Sequence, residues 1–402
     1  MTSLSEIRVI DSNRDLELYS YHHCTNETPQ EVRQCRGFIY SKNKEHLIVS
    51  NFGYTQNYTF DINMNMTSFL GDESDWASQW MFYYSMEGTL LRLFYYQDRW
   101  HLTTNKKLDA YRSRWSSRLS FGELMEMAIS KTLHIPFSSF VEKLEPEYLY
   151  LFLLRPNHNT RIVCHVNQKM DKVLFLGRSE LGEFKFQSSN EISHILPELA
   201  RPTLLPIENW NDFQTYMNSL DVMEYQGILV THKETSDQIK FIHPKYAFLS
   251  EIRGNNSNLR YRYLELRQDS EKLKLLYYLY PRHTDIFDSL EETIVHLSRI
   301  LYQFYVSRYM KNQFITLPRE EYRIIKKCHE YYLQNKQMNR IFSKKILEIM
   351  NEEPPLHLYK MIRRFLYSRR HPHKYEEESS STSYSHLQRP SLFYDSRHVN
   401  ST

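Results

Sequence analysis

The stretch YYSMEGTLL, Tyr83 to Leu91, sets an aromatic pair before Ser-Met-Glu-Gly and then returns to apolar residues that run on through FYYQDRWHLTT to Thr104. Aromatic and β-type residues on both sides of a Glu87-Gly88 turn spell a β-hairpin. Working outward, short β-type runs recur up to about residue 250: GFIYS, HLIVSNF, WMFYYS, TLLRLFYY, RWHLTT, YLYLFLL, TRIVCHV, KVLFLG, QGILVTH and QIKFIH. Polar turns bound them. Helical interruptions fall at SFGELMEMAISKTL and NWNDFQTYMNSL, where apolar residues return every three or four places. The mixture is α+β.

After Pro281 the periodicity changes. Leu290, Ile294, Leu297, Leu301 and Phe304 recur at helical spacing behind the capping box Ser289-Leu-Glu-Glu292. Further helices are expected to open near Pro318, near Ser343 and after Pro354-Pro355. From residue 369 the text turns polar and low in complexity. The expected organisation is an α+β domain over 1–270, an all-helical domain over 281–368 and a disordered tail over 369–402.

Composition bounds the function classes. Charged residues are 25%, hydrophobic residues 41% and the formal net charge is +3, so no global imbalance points to a partner. Tyr (31) and Phe (22) are abundant and Gly (9) scarce, and neither GxxxxGK[ST] nor GxGxxG occurs, which argues against a P-loop enzyme. The cysteines Cys24, Cys35, Cys164 and Cys328 stand far apart, with no CxxC pair for zinc and no dense disulfide framework. No basic-then-apolar leader is visible, and runs such as YLYLFLL are too short to span a bilayer. A reducing intracellular or cytoplasmic setting without membrane contact is expected, and Asn57-Tyr-Thr is then a chance sequon.

Five small signals follow one another in the first domain: CRGF with Arg36-Gly37, SMEGT over Ser85–Thr89, LFLL followed by NTRIV over Leu151–Val163, YQGILV over Tyr225–Val230, and IKFIHPKY over Ile239–Tyr246. In that order they resemble the covalent nucleotidyltransferases, specifically the RNA ligase family of phages and large DNA viruses. That family shows an upstream Arg-Gly, a KxDG nucleophile motif, a strand ending Phe-Glu, a Glu-Gly-hydrophobic strand and a KxKxxxY motif. The resemblance spans roughly residues 30 to 250. It implies an ATP-grasp-like ligase domain of antiparallel sheets with flanking helices, followed by a helical domain. It further implies ATP and Mg²⁺ as cofactors and RNA as partner, with a lysine attacking the α-phosphate and passing AMP to an RNA 5′-phosphate. An infected-cell cytoplasm would be the location if the source is viral. Such a lysine must be neutral to attack, so the family surrounds it with cations that also balance the triphosphate.

Residue by residue the match is partial. Arg36 and Gly37 stand at the upstream Arg-Gly, and Glu87 and Gly88 at the D/E-G of KxDG, but Ser85 occupies the lysine position. Phe152 keeps the aromatic expected near the base, while Leu153 replaces the glutamate after it. Asn159 and Arg161 match the family's Asn-Arg-Ile-Val with Thr160 inserted. Gln226 replaces the glutamate before Gly227. Lys240 and Tyr246 keep the first Lys and the Tyr of KxKxxxY, and Ile242 replaces the second Lys. Two cation positions and two anion positions are therefore neutral together, which avoids stranding a buried charge at about 3 to 5 kcal/mol.

By this resemblance the nucleotide-binding candidates are Arg36, Glu87, Gly88, Phe152, Gln226 and Tyr246. Lys240 and the Ser85 position are the catalytic candidates, and no residue is assigned as a metal ligand. A serine needs a general base and would give a phosphodiester, a poorer AMP donor than a phosphoramidate. Lys106 or Lys107 offers a substitute amine, although a Lys-Lys pair at a strand end is by default a solvated surface. Three functions follow. The first is a pseudoenzyme that binds nucleotide and RNA ends. The second is an ATP-dependent RNA ligase with an atypical nucleophile. The third is a scaffold or virion interaction protein.

Each candidate has a bland counterpart: Glu87 a surface acid at a turn, Phe152 a core aromatic, Gln226 a satisfied amide. Lys240 is the sharpest, because a lysine inside IKFI needs an anion or an escape to solvent. Two basic stretches lie further on, LRYRYLELR (Leu259–Arg267) and MIRRFLYSRRHPHK (Met361–Lys374). Arg260, Arg262, Arg363 and Arg364 are their candidate RNA contacts. The bland readings are a strand with one wet face and a helix C-terminus that attracts cations.

Overall fold

The structure is a computed structural model and describes residues 7–42, 46–155, 161–165 and 172–370. It divides into two compact units, Met1–Ser257 and Asn258–Thr402. The first is α+β, and among its described residues the strands pair antiparallel apart from one parallel pair; the second is helical.

Three sheets build the first unit. A four-stranded sheet runs in the order β1 (Ile7–Ser12), β2 (Leu16–Tyr21), β3 (Arg36–Ser41), β4 (Leu47–Val49). The strands β1 and β2 escape the sequence reading, because Asp11, Asp15 and Glu17 break up their β-type residues. A second sheet is threaded out of chain order: β12 (Leu204–Leu205), β6 (Trp80–Ser85), β13 (Gly227–His232), β14 (Gln238–Ile242), β5 (Gln56–Thr59). The third runs β11 (Gln187–Ser188), β10 (Val173–Glu180), β9 (Tyr148–Leu154), β7 (Thr89–Tyr96), β8 (Arg99–Thr104).

The Tyr83–Leu91 stretch is where two of these sheets meet. Its first half ends β6 and its second half opens β7, and the two strands join different sheets instead of pairing in a hairpin. That corrects the hairpin expected there. β7 pairs instead with β8 and β9, so the hairpin of this region is β7–β8, closed at Gln97 and Asp98, both at positive φ.

Side-chain alternation sends successive residues of β9 to opposite faces. Tyr150, Phe152 and Leu154 pack with Met125 and Ile129 of helix α1 (Phe121–Leu133), whereas Leu149 and Leu151 pack with Leu16, Leu18 and Ile39 of the first sheet. Burial of these apolar faces, at about 25 cal/mol per Å², drives the layering. A third cluster covers the outer face of the second sheet with Phe213 and Met217 of helix α2 (Trp210–Asn218). Helix α3 (Pro244–Arg253) follows β14 directly, with Pro244 at its first turn and Tyr246 buried.

Within TRIVCHV, the described residues 161–165 do not form the strand that the β-branched residues suggest. Residues 161–165 are irregular, and their backbone donors are used elsewhere.

In the second unit, helices α4 (Leu259–Leu266), α5 (Ser270–Leu279), α6 (Thr284–Tyr305), α7 (Arg319–Gln334), α8 (Ser343–Asn351) and α9 (Pro355–Arg370) bury one stripe each. α6 begins at Thr284, so Ser289 lies inside it and the expected capping box is not its start. LRYRYLELR is helix α4, opened by the Asn258 side chain accepting from Arg260 and Tyr261 backbone N–H groups, and not a strand with one wet face. No helix among the described residues is long and apolar enough to cross a membrane. The segment from residue 371, which contains the expected tail apart from Arg369 and Arg370, lies outside the described residues.

Candidate functional site

A cavity of about 460 Å³ opens between the second and third sheets of the first unit, within the range of small-molecule sites. Met81, Tyr83 and Ser85 of β6 line it at alternate positions, and Leu153 of β9 and Leu174 and Leu176 of β10 form an apolar wall. Arg36, Lys106 and Lys240 bring charge to it.

Its polar centre is a chain of contacts among residues far apart in sequence. Ser85 pairs in register with Gly227, and the Gln226 backbone N–H donates to the Ser85 carbonyl at 2.7 Å. Gly227 has φ +155°, and a Cβ there would lie 2.0 Å from the Phe241 carbonyl oxygen, so only glycine lets β13 and β14 close here. That closure aims the Gln226 side chain back at Ser85. Gln226 Oε1 accepts from Ser85 Oγ at 3.1 Å and from Lys240 Nζ at 2.9 Å. Its Nε2 donates to Tyr246 Oη at 3.0 Å, and Tyr246 Oη donates to Glu87 Oε1 at 2.8 Å. Two donors on one side and an occupied hydroxyl on the other fix which way the amide faces.

Glu87 is the acid of the turn, buried at 3% exposure. Its carboxylate accepts from three successive backbone N–H groups, Ile162 at 2.8 Å, Val163 at 2.6 Å and Cys164 at 2.9 Å, besides Tyr246. Those donors explain why residues 161–165 are no strand: the N–H groups of Ile162, Val163 and Cys164 wrap a carboxylate instead of a ladder. Burial and the adjacent Glu87 carboxylate push Tyr246 far above the usual phenol range, which keeps it a donor, and the same two causes push the Cys164 thiol up. Gly88 follows at a close approach, where a Cβ would lie 2.6 Å from Leu153 Cδ1 and 2.9 Å from the Leu154 oxygen.

The cations keep neutral partners. Arg36 Nη1 donates to the Gly53 oxygen at 3.3 Å and to Thr55 Oγ1 at 3.4 Å, and Lys240 donates to the Gln226 amide. Burial, reinforced by the Arg36 guanidinium, lowers Lys240 to about 8, although the side chain keeps some exposure through the cavity. Behind the wall Arg92 is fully buried and donates to the Gly37 and Thr104 carbonyls, the latter at 2.8 Å. It ties the Arg36-Gly37 strand to the turn carrying Lys106. Burial and Arg36 lower it to about 9, and its Nε has no partner among the described residues. The sequence reading missed Arg92, which looks like one more residue of an apolar strand.

The structure thus gathers Ser85, Glu87, Gly88, Gln226, Lys240, Tyr246 and Arg36 around one cavity and its back wall. It does not bring Phe152 there: the ring lies 6.1 Å from Phe140 and 5.7 Å from Phe175, in the core on the far face of β9, and Leu153 takes the cavity side. Ile242 is not among the lining residues either. Lys106 lines the cavity as an exposed side chain, while Lys107 turns to Asp11 at 3.5 Å. Arg161 is buried in its own loop, donating to the Val163 oxygen at 3.3 Å, and Asn159 lies outside the described residues. A smaller cavity of about 160 Å³ adjoins Glu87, Gly88 and Arg155.

In the second unit the four arginines diverge. Arg364 is held by Glu321 at 2.6 Å and Glu320 at 2.8 Å, and Arg262 by Glu265 at 2.8 Å. Arg260 and Arg363 are exposed, the latter 5.8 Å from the centre of the Tyr359 ring.

No protein-family model matches the chain. It is 31% identical over 291 residues to an "Immediate-early protein ICP-46 homolog" of Invertebrate iridescent virus 3, a match covering 70% of this chain and 61% of that protein. It is 24% identical over 354 residues to the protein of the same description in Invertebrate iridescent virus 6, covering 81% and 73%. The chain therefore matches less than two thirds of the first relative's own length. Solved structures to which it is similar include an archaeal ATP-dependent RNA ligase (form 2) at 9% identity and a TM-score of 0.44, over 73% of this chain and 77% of that one.

Proposed function

We propose that the first unit binds a nucleoside triphosphate, with ATP as the family-implied ligand, together with a phosphorylated RNA end, in the cavity between its two larger sheets. The observation that carries this reading is electrostatic. Arg36, Lys106 and Lys240 line the cavity and Arg92 stands behind it, while the buried carboxylate of the site, Glu87, already accepts from four donors. A polyphosphate supplies the missing negative charge.

Ser85 does not carry AMP. Its hydroxyl donates to an amide oxygen, which is no general base. At the position where the RNA ligase motif places its lysine, the protein therefore supplies no nucleophile of its own. No residue is assigned to hold a divalent metal, and no group of three His, Cys, Asp or Glu side chains is gathered among the described residues. Mg²⁺ would arrive as the counterion of the nucleotide.

Titration calorimetry with MgATP and with 5′-phosphorylated RNA tests this. Lys240→Ala is expected to weaken ATP at least tenfold, about 1.4 kcal/mol. An undiminished affinity, or no affinity in the parent protein, would remove the cavity from the reading.

A further inference from the structure

We infer that Lys240 is the covalent nucleotide acceptor of this cavity, its amine standing in for the one absent at position 85. The inference rests on the nucleotide-binding reading above.

Lys240 lies on β14, two strands from β6, since it pairs with Leu229 of β13 and Leu229 pairs with Tyr83. Adjacent strands are about 4.8 Å apart, so the four-carbon stem of lysine crosses one spacing and meets the Gln226 side chain that reaches Ser85 from the start of β13. Its Nζ reaches the same oxygen that Ser85 Oγ reaches, at 2.9 Å against 3.1 Å. Amine and hydroxyl are therefore separated by no more than those two contacts together. The amine is delivered from β14, across the intervening β13, to the neighbourhood of the position from which the ligase motif would deliver it on β6.

The surroundings favour reactivity. The acceptor of the Lys240 proton is a neutral amide, where a carboxylate would hold the ammonium form. Arg36 lines the same cavity and opposes a second positive charge there. Burial acts in the same direction, so near neutrality a usable fraction of the side chain is free amine, about one tenth at pH 7 for a pKa of about 8. Ser85 has no base, and Lys106 is exposed at the rim.

The step balances with nucleotide alone. The Nζ lone pair attacks the α-phosphorus, an N–P bond forms, and the bond from that phosphorus to the bridging oxygen breaks. Pyrophosphate leaves with the electron pair, and the surplus proton on nitrogen passes to water. The product is a lysyl phosphoramidate able to hand on its nucleotide.

The test incubates the full chain with each of the four ribonucleoside triphosphates labelled at the α-phosphate, as magnesium complexes, from pH 7 to 9. The expected result is a label that survives denaturation, is lost in acid, grows as pH rises through about 8, and maps by peptide mass spectrometry to Lys240. Lys240→Arg retains a cation without a nucleophilic amine, so at nucleotide concentrations that calorimetry shows to saturate the variant it should lose the label at least fiftyfold. A label on any other residue, or bound nucleotide with no label, overturns the inference and leaves the binding reading standing. An absence of nucleotide binding overturns both.

Discussion

At the scale of single residues, the site is held by contacts that leave little freedom for substitution. Glu87→Gln keeps the shape of the side chain but points an NH₂ group at backbone N–H groups that now share a carboxylate. A loss of about 2 to 3 kcal/mol is expected, the range for hydrogen bonds to a charged acceptor, measured by urea unfolding. Unchanged stability would mean that the carboxylate does not anchor residues 162–164. Gly88→Ala drives a methyl into Leu153 and the Leu154 carbonyl. The leucine can turn, but the backbone oxygen cannot, so about 1 to 3 kcal/mol of overpacking is expected, with weaker nucleotide binding because Leu153 lines the cavity. The types Glu-Gly and Lys inside IKFI announce such constraint in the sequence. Arg92 does not, since nothing local separates a buried arginine holding two carbonyls from an edge-strand cation.

At the scale of elements, local pattern succeeds where a segment buries one face and fails where its backbone serves a side chain elsewhere. α1 keeps the capping box expected of a helix start, Ser120 with Glu123, and opens where its apolar periodicity begins. TRIVCHV has the β-branched content of a strand, yet the N–H groups of Ile162, Val163 and Cys164 go to Glu87, 75 residues and more away in sequence. LRYRYLELR alternates in sequence, yet Asn258 caps it as a helix, which sends Arg260 and Arg262 to diverging sides. Among the four arginines, Arg364 belongs to structure. Arg364→Ala removes the guanidinium that pairs with Glu321, whose side chain is 0% exposed, and with Arg364 itself 28% exposed the expected loss is about 2 to 3 kcal/mol, read as a lowered midpoint of thermal unfolding. Arg260→Ala with Arg363→Ala should leave stability unchanged. If RNA contacts lie on these helices, that double variant flattens the salt dependence of RNA affinity by about 0.7 per lost phosphate contact; an unaltered slope rules them out.

At the scale of the whole molecule, the uncompensated cations give a pH signature. Lys240 titrates near 8 when folded and at its ordinary 10.5 when unfolded, so between those values the unfolded chain holds more protons and stability rises with pH. Below about 8 the full penalty for a desolvated ammonium is present. Arg92 and the buried cysteines also titrate at alkaline pH, so the comparison that isolates Lys240 is the parent against Lys240→Met. The parent should gain on the variant from pH 8 to about 10, and saturating MgATP should flatten that gain by holding the ammonium. Parallel curves without nucleotide would show that Lys240 is not desolvated.

The order of β-rich and helical segments, the turn at Glu87-Gly88 and the succession of ligase-like motifs are properties of the chain alone, because each depends on neighbours a few places apart. Which strands lie side by side does not. The order β12-β6-β13-β14-β5 is chosen by burial of whole sheet faces, and it alone carries Gln226 and Lys240 to Ser85 across about 140 residues of sequence. Alternation likewise tells that Phe152 and Leu153 face opposite ways, and only the packing of α1 against β9 decides that the leucine looks into the cavity and the phenylalanine into the core.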